Sequence, residues 1–259
     1  MMPLVRPPAA AEDKFYTLAM IYRFEELTSS NDEAADARYR EGDTVWVERQ
    51  TAGRGQRGHR WESAEGENLT FSTVFEPAFL APERQFLLSE AAALGVCDTL
   101  ARYGIDARIK WTNDIYVGDR KITGMLIENK LQGGGIMRTV AGIGLNVNQT
   151  QFDPALPNPV SMASAAGRRF DRGEVLETLL AHLAARYAML RDGDAEGLQH
   201  DYRRLLYRRD EEHWYARPDG SRFRGTIRGV EPSGALIVES ADGTTGSYLF
   251  KEIEFVLKA

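Results

Sequence analysis

A single cysteine, Cys97, stands in a chain of 259 residues. That excludes an intrachain disulfide framework and a cysteine-built zinc cluster, and the four histidines show no ligand spacing. A reducing cytoplasm fits such a chain. Long apolar runs are missing as well: no stretch of about 18 residues could cross a membrane. The opening "MMPLVRPPAAAEDKF" lacks the apolar core of a signal peptide. Internal repeats and low-complexity tracts are absent. Strong net charge is also lacking. A formal −6 argues against broad attraction to nucleic acid, so the cations clustered near position 57 point to a small anion. With 43% hydrophobic residues, the chain can bury one sizeable core with room for a smaller second one.

Those cations lie in "TAGRGQRGHRW", where Gly53, Gly55 and Gly58 spell the G-x-G-x-x-G of a dinucleotide turn. Such a turn must open a helix that receives the pyrophosphate at its N-terminus. The residues that follow, "HRWESAEGEN", have neither helical apolar spacing nor enough length. The segment therefore reads as a glycine-rich loop between two strands, carrying Arg54, Arg57, His59 and Arg60 and followed by Trp61. Glycines let backbone approach a ligand, and arginine forks grip phosphate or carboxylate oxygens, so an anion-gripping lid is expected. A solvated hairpin tip is the plainer alternative.

Along the chain, residues 1–14 are expected to be disordered, and "YTLAMIYRFEEL" reads as strand. Ser30 with Glu33 forms a capping-box pattern, predicting a helix over 32–41 that stops at Gly42. Strands 44–50 and 69–75 flank the glycine loop. Pro82, the spacing of Leu87, Ala91, Leu94, Cys97 and Leu100, and Gly104 mark a core helix. From Ala107, "ARIKW", "IYV", "KITGMLIENKL" and "IMRTVAGIGLNV" form the main body of a sheet, packed on one face by helices. Two helical segments follow, around 173–193 and 195–207. After Tyr207, "FRGTIRGVE", "GALIVES", "GSYLF" and "EIEFVL" with intervening turns predict a small all-β barrel. The division expected is 1–206 and 207–259.

Four segments carry chemistry. "TSSND" offers Ser29, Ser30 and Asn31, which cap a helix and can share its free N–H groups with a ligand. The glycine loop follows Gln50. "KWTNDIYV" places Lys110, Asn113 and Asp114 at a strand-to-turn junction, where Asn-Asp is also ordinary turn material. "KITGMLIEN" starts a strand with Lys121, a common edge residue, and has Gly124 where a ligand could approach closely.

In this order, with G-x-G-L-N-V-N closing the series at 142–148, these segments resemble the catalytic domain of biotin protein ligases over about Thr28 to Asn148. The tail resembles that family's small C-terminal SH3-like barrel in pattern only. The resemblance implies an α+β fold, a mixed sheet flanked by helices as in class II synthetases. It implies a carbon–nitrogen bond-forming ligase that makes biotinyl-adenylate from biotin and ATP. Biotin then passes to a lysine of a biotin carboxyl carrier domain, with magnesium as companion of ATP. It further implies that Ser29, Ser30, Asn31, Gln50, Arg54, Gly55, Gln56, Lys121 and Gly124 surround biotin. Arg54, Arg57, Trp61, Asn113, Asp114, Lys121 and Asn146 would meet the adenylate, with Lys121 and Arg54 catalytic. Asp114 would orient Lys121 or help hold magnesium.

The chain departs from the family pattern at Thr112, commonly proline, at Ser30, commonly threonine, and at Gln56, commonly arginine. Only Gln56 exchanges a permanent cation for a neutral amide. The short N-terminal stretch leaves no room for a winged helix, so the form without a DNA-binding domain, and no nucleic-acid or membrane partner, is expected. Either a monomer or a homodimer is compatible. The alternatives are a lipoate or octanoate ligase, whose Val-x-His-Asp motif is absent from "GRGQRGHRW", and a non-enzymatic nucleotide- or protein-binding module.

Overall fold

Alternation of apolar and small residues along the strands gives one sheet two unlike faces, and that difference positions everything below. The computed structural model describes residues 2–4, 19–55 and 61–257. Its main sheet contains β1 (Met2–Leu4), β2 (Ile21–Leu27), β3 (Thr44–Gln50), β4 (Leu69–Phe75), β5 (Arg108–Lys110), β6 (Asp114–Val117), β7 (Arg120–Gln132) and β8 (Gly135–Leu145), in the order β1-β2-β3-β4-β8-β7-β6-β5. Among the described strands β2 and β3 pair in parallel and the other neighbours antiparallel, so the sheet is mixed as expected. Within the stretch expected to be disordered, Met2–Leu4 forms β1 against β2, and the remainder lies outside the described residues.

On one face, Leu69 and Phe71 of β4, Met125 of β7 and Ile143 and Leu145 of β8 pack against α2 (Phe86–Arg102). A single 3₁₀ turn at Pro82–Arg84 leads into α2, which is buried almost all round because α4 (Arg172–Arg191) and α5 (Ala195–Arg204) cover it from outside. A Cβ on Gly95 would lie 3.0 Å from Leu183 Cα, so glycine sets how closely α2 and α4 approach. The opposite face of the sheet carries α1 (Ser30–Ala34) and the cleft described below.

The helix expected over 32–41 is only Ser30–Ala34, and its cap is Ser29, whose Oγ accepts from Asp32 N at 3.5 Å. Ser30 Oγ is engaged instead by Ser72 at 2.8 Å. The helix stops early because other groups take its freed carbonyls: Arg138 donates to Asp36 O at 2.7 Å and Tyr39 O at 2.6 Å, while Asp36 Oδ1 turns the chain by accepting from Arg38 N.

After the connection 149–161 and the short α3 (Met162–Ala166), α4 and α5 lead to β9 (Glu212–Ala216), β10 (Arg222–Val230), β11 (Leu236–Ser240), β12 (Thr245–Tyr248) and β13 (Glu254–Phe255). These form an antiparallel sheet, β12-β11-β10-β9-β13. This sheet is consistent with the small SH3-like domain expected, though it is not a closed barrel among the described residues: β13 offers two ladder residues, reaches β9 alone and does not pair with β12. β9 itself was not anticipated. Trp111 Nε1 donates to Gly234 O at 2.8 Å and joins the two sheets.

Glu90 of α2 is 2% exposed, its Oε2 has no hydrogen-bond partner among the described residues, and burial raises its carboxyl to about 8 against the opposing pull of Arg203. A raised carboxyl means that the folded chain holds a proton the unfolded chain has released. Stability should therefore be fully present below the ordinary carboxylate range and fall as pH rises to about 8, by at most about 1.4 kcal/mol per pH unit. Glu90→Gln is expected to raise the melting temperature at pH 8, with the gain shrinking toward pH 5. A gain that does not vary with pH would show that Glu90 is not protonated in the fold.

Candidate active site

The cross-strand register places Lys110 opposite Asp114, Asp114 opposite Gly124, Gly124 opposite Gly144, and Gly144 opposite Thr70. This row crosses β5, β6, β7, β8 and β4, and at a strand spacing of about 4.8 Å it spans roughly 19 Å. It floors a cleft of about 1030 Å³, lined also by Ser29, Ser30, Asn31, Gln50, Arg54, Gly55, Trp61, Asn113, Lys121 and Asn146. Every described residue expected to surround biotin or the adenylate lines this cleft. Gln56 and Arg57 lie outside the described residues.

At the β3–β4 end, Gln50 Oε1 accepts from Ser30 N at 2.6 Å. Asn31 Oδ1 accepts from Ser72 Oγ at 2.6 Å, while Asn31 Nδ2 donates to Glu128 Oε2 at 2.7 Å. Glu128 then holds Arg54 through bonds of 2.8 and 3.0 Å, with Asp32 on the same guanidinium at 2.7 Å. The arginine is thus held by carboxylates on two elements.

Two glycines make this arrangement possible. A Cβ on Gly142 would overlap Asn31 Oδ1, and one on Gly144 would overlap the Trp61 indole. The indole lies across Gly144 and within reach of Gly124, whose added Cβ would stand 3.2 Å from Trp61 Cζ3 and Lys121 Nζ. Its Nε1 is buried and has no acceptor among the described residues. Trp61 N donates to Gly53 O at 3.2 Å, closing the neck of the glycine loop. Strands β3 and β4, which flank this loop, pair antiparallel, whereas a dinucleotide turn needs the parallel strands of a βαβ unit, so that topology is excluded.

In the middle of the row, Lys121 Nζ pairs with Asp114 Oδ1 at 2.7 Å. Of the two roles left open for Asp114, orientation of Lys121 is therefore visible in the structure. Asn113 braces its turn: its Nδ2 donates to Met125 O and its Oδ1 accepts from Thr112 Oγ1 at 2.7 Å. Asn146 Nδ2 similarly ties Val160 O at 3.0 Å. At the far end, Lys110 Nζ lies 5.4 Å from the Tyr116 ring and 4.9 Å from that of Phe255. Burial pushes the Lys110 ammonium below its ordinary lysine value, against the opposing effect of Asp114.

Sequence reasoning missed Ser72, Glu128, Gly142 and Gly144 as site residues, and named Lys110 without giving it a role. All but Ser72 stand inside quoted segments, Glu128 in "KITGMLIEN" and Gly142 and Gly144 in the G-x-G-L-N-V-N run. Phe250, Lys251, Ile253, Glu254 and Phe255, which bring the second sheet to the cleft wall, carry no sequence signal. The described residues contain no group of three or more His, Cys, Asp or Glu placed to hold a metal ion, and no helix among them is long and apolar enough to cross a membrane.

Against known proteins, the sequence model of the biotin/lipoate A/B protein ligase family matches residues 22–148. The biotin–[acetyl-CoA-carboxylase] ligase of Paracoccus denitrificans is 31% identical over 214 residues, covering 77% of this chain and 86% of that protein. The bifunctional ligase/repressor BirA of Bacillus spizizenii is 30% identical over 224 residues, covering 80% of this chain, which spans only 65% of that relative's length. Among solved structures, the biotin protein ligase of Aquifex aeolicus in complex with biotin and ATP superposes with a TM-score of 0.77 at 23% identity, covering 90% of this chain and 97% of that one. Motif order, cleft and relatives agree, and the chain belongs to the biotin/lipoate A/B protein ligase family.

Proposed function

We propose that this chain activates biotin with ATP to biotinyl-5′-adenylate, releases pyrophosphate, and transfers biotin to a lysine of a carboxyl carrier domain in the cytoplasm. The observation that carries the reading is the Lys121–Asp114 pair at the centre of a row that joins a hydrogen-bonding pocket to a cationic end. A carboxylate attacking an α-phosphate brings two anions together, so the site must present cations where negative charge gathers. Lys121 supplies one there, and Asp114 fixes its direction. Arg54, held by Glu128 and Asp32, supplies a second from the glycine loop.

In this reading Ser29, Ser30, Asn31, Gln50 and Gly55 surround biotin, and the ring system lies over the Gly124–Gly144 floor against Trp61. The unsatisfied indole N–H then donates to a ligand oxygen. Asn146 and the Asn113 turn frame the adenylate. Magnesium would accompany ATP; Asp114 and Glu254 on the cleft lining are the carboxylates that would hold it, a small donor set suited to an ion that keeps other oxygen ligands, and it would supply charge neutralisation on the phosphates.

The test is to mix the purified chain with ATP, an apo carrier domain, and either biotin or lipoate. Pyrophosphate release and carrier acylation should both depend on biotin. Acylation by lipoate alone would assign the other branch of the family, and neither reaction would leave a binding module.

A further inference from the structure

The far end of the row holds a cation with no carboxylate within ion-pair distance among the described residues. Asp114, the register partner of Lys110, is occupied by Lys121 at 2.7 Å, and the Lys110 ammonium lies over the faces of Tyr116 and Phe255. Aromatic faces hold an ammonium without cancelling its charge. A cation kept in a cleft in this way is poised for an anion that arrives from outside.

Direction along the row says which anion. In an in-line displacement the leaving oxygen departs opposite the attacking one. If the biotin carboxylate approaches Lys121 from the pocket formed by Gln50, Ser30 and Thr70, the line through the α-phosphate continues past Asp114 to Lys110. We infer that Lys110 is the group that receives the pyrophosphate leaving group, in a compartment walled by Phe255 of the second sheet. The inference rests on the proposed adenylate-forming activity. In the step itself a carboxylate oxygen bonds to the α-phosphorus, the bond from that phosphorus to the bridging oxygen breaks, and its electron pair leaves with pyrophosphate. No proton or oxidant is required. Lys110 stabilises charge that develops on the departing oxygens, while Lys121 acts at the bond being formed. Arg208, Lys121, Asp114 and Glu254 are the other charged groups near the Lys110 ammonium.

Lys110→Met and Lys110→Arg in the full chain test this. Lys110→Met should raise the pyrophosphate product-inhibition constant and the KM for ATP by about 10- to 100-fold. The KM for biotin should change little, and single-turnover transfer from preformed biotinyl-adenylate to the carrier should persist, which also shows that the variant folds. Lys110→Arg should restore most of the ATP defect. Unchanged pyrophosphate inhibition, or a defect confined to transfer, would overturn the inference. If the unaltered chain releases no pyrophosphate at all, the activity reading falls instead. Calorimetry with inorganic pyrophosphate alone then decides for Lys110: weaker binding by Lys110→Met supports an anion site there, and equal binding removes it.

Discussion

Lys121→Ala is expected to slow adenylate formation about 10- to 150-fold, the value of one charge-assisted contact of about 1.5–3 kcal/mol made where the two anions meet. The loss should fall on the chemical step, because the Lys121 ammonium lies on the cleft floor between Asp114 and Gly124 and is not part of the hydrophobic core. The substitution also frees Asp114, leaving a carboxylate next to incoming phosphates. Lys121→Ala with Asp114→Asn should therefore be less impaired than the sum of the two single changes, since the asparagine removes that repulsion. Rapid-quench measurement of adenylate, with biotin and ATP saturating, checks both statements. A Lys121→Ala chain that forms adenylate at the unaltered rate would remove this lysine from the chemistry.

Gly142→Ala should be nearly as damaging by a different route. The added methyl takes the space of Asn31 Oδ1, and Asn31 is 4% exposed at the centre of the chain of bonds Ser72–Asn31–Glu128–Arg54. Displacing it breaks two or three hydrogen bonds and leaves buried partners unsatisfied, a cost of about 2–4 kcal/mol shared between fold stability and biotin affinity. The dissociation constant for biotin is expected to rise about 10- to 100-fold. The decisive measurement is a double-mutant cycle: in an Asn31→Ala background the methyl has nothing to displace, so Gly142→Ala should add little. Additive losses would mean that the glycine matters for another reason, and the steric account would be wrong.

Much of the site could be read along the chain because its parts are local. Gly124, Leu126 and Glu128 fall on one face of β7 by simple alternation, and the motif that contains them was visible as written. The expectation of an anion-binding loop in "GRGQRGHRW" rests on residue type, and residues 56–60 of it lie outside the described residues. The failures were also local, but had distant causes. The helix after Ser29 ends at Ala34 because Arg138, from β8, takes the carbonyls that would have continued it. The tail forms the small antiparallel unit expected of an SH3-like domain, but its sheet is not closed among the described residues, because β13 reaches only β9.

The sequence by itself determined most of the strand and helix succession, though not β1, α3 or β9, together with the core helix, the glycine loop between strands, and membership of a family through the order of its motifs. Tertiary structure alone decided which residues meet: that Asn31 and Trp61 fill the space left by Gly142 and Gly144, that Glu128 holds Arg54, and that Lys110 rests against Phe255 from the second sheet. The reason is register. Alternation assigns each side chain to a face, but the residue opposite it depends on how strands distant in the chain align when their apolar faces close on α2. That alignment is set by packing of the whole sheet and is not encoded in any one segment.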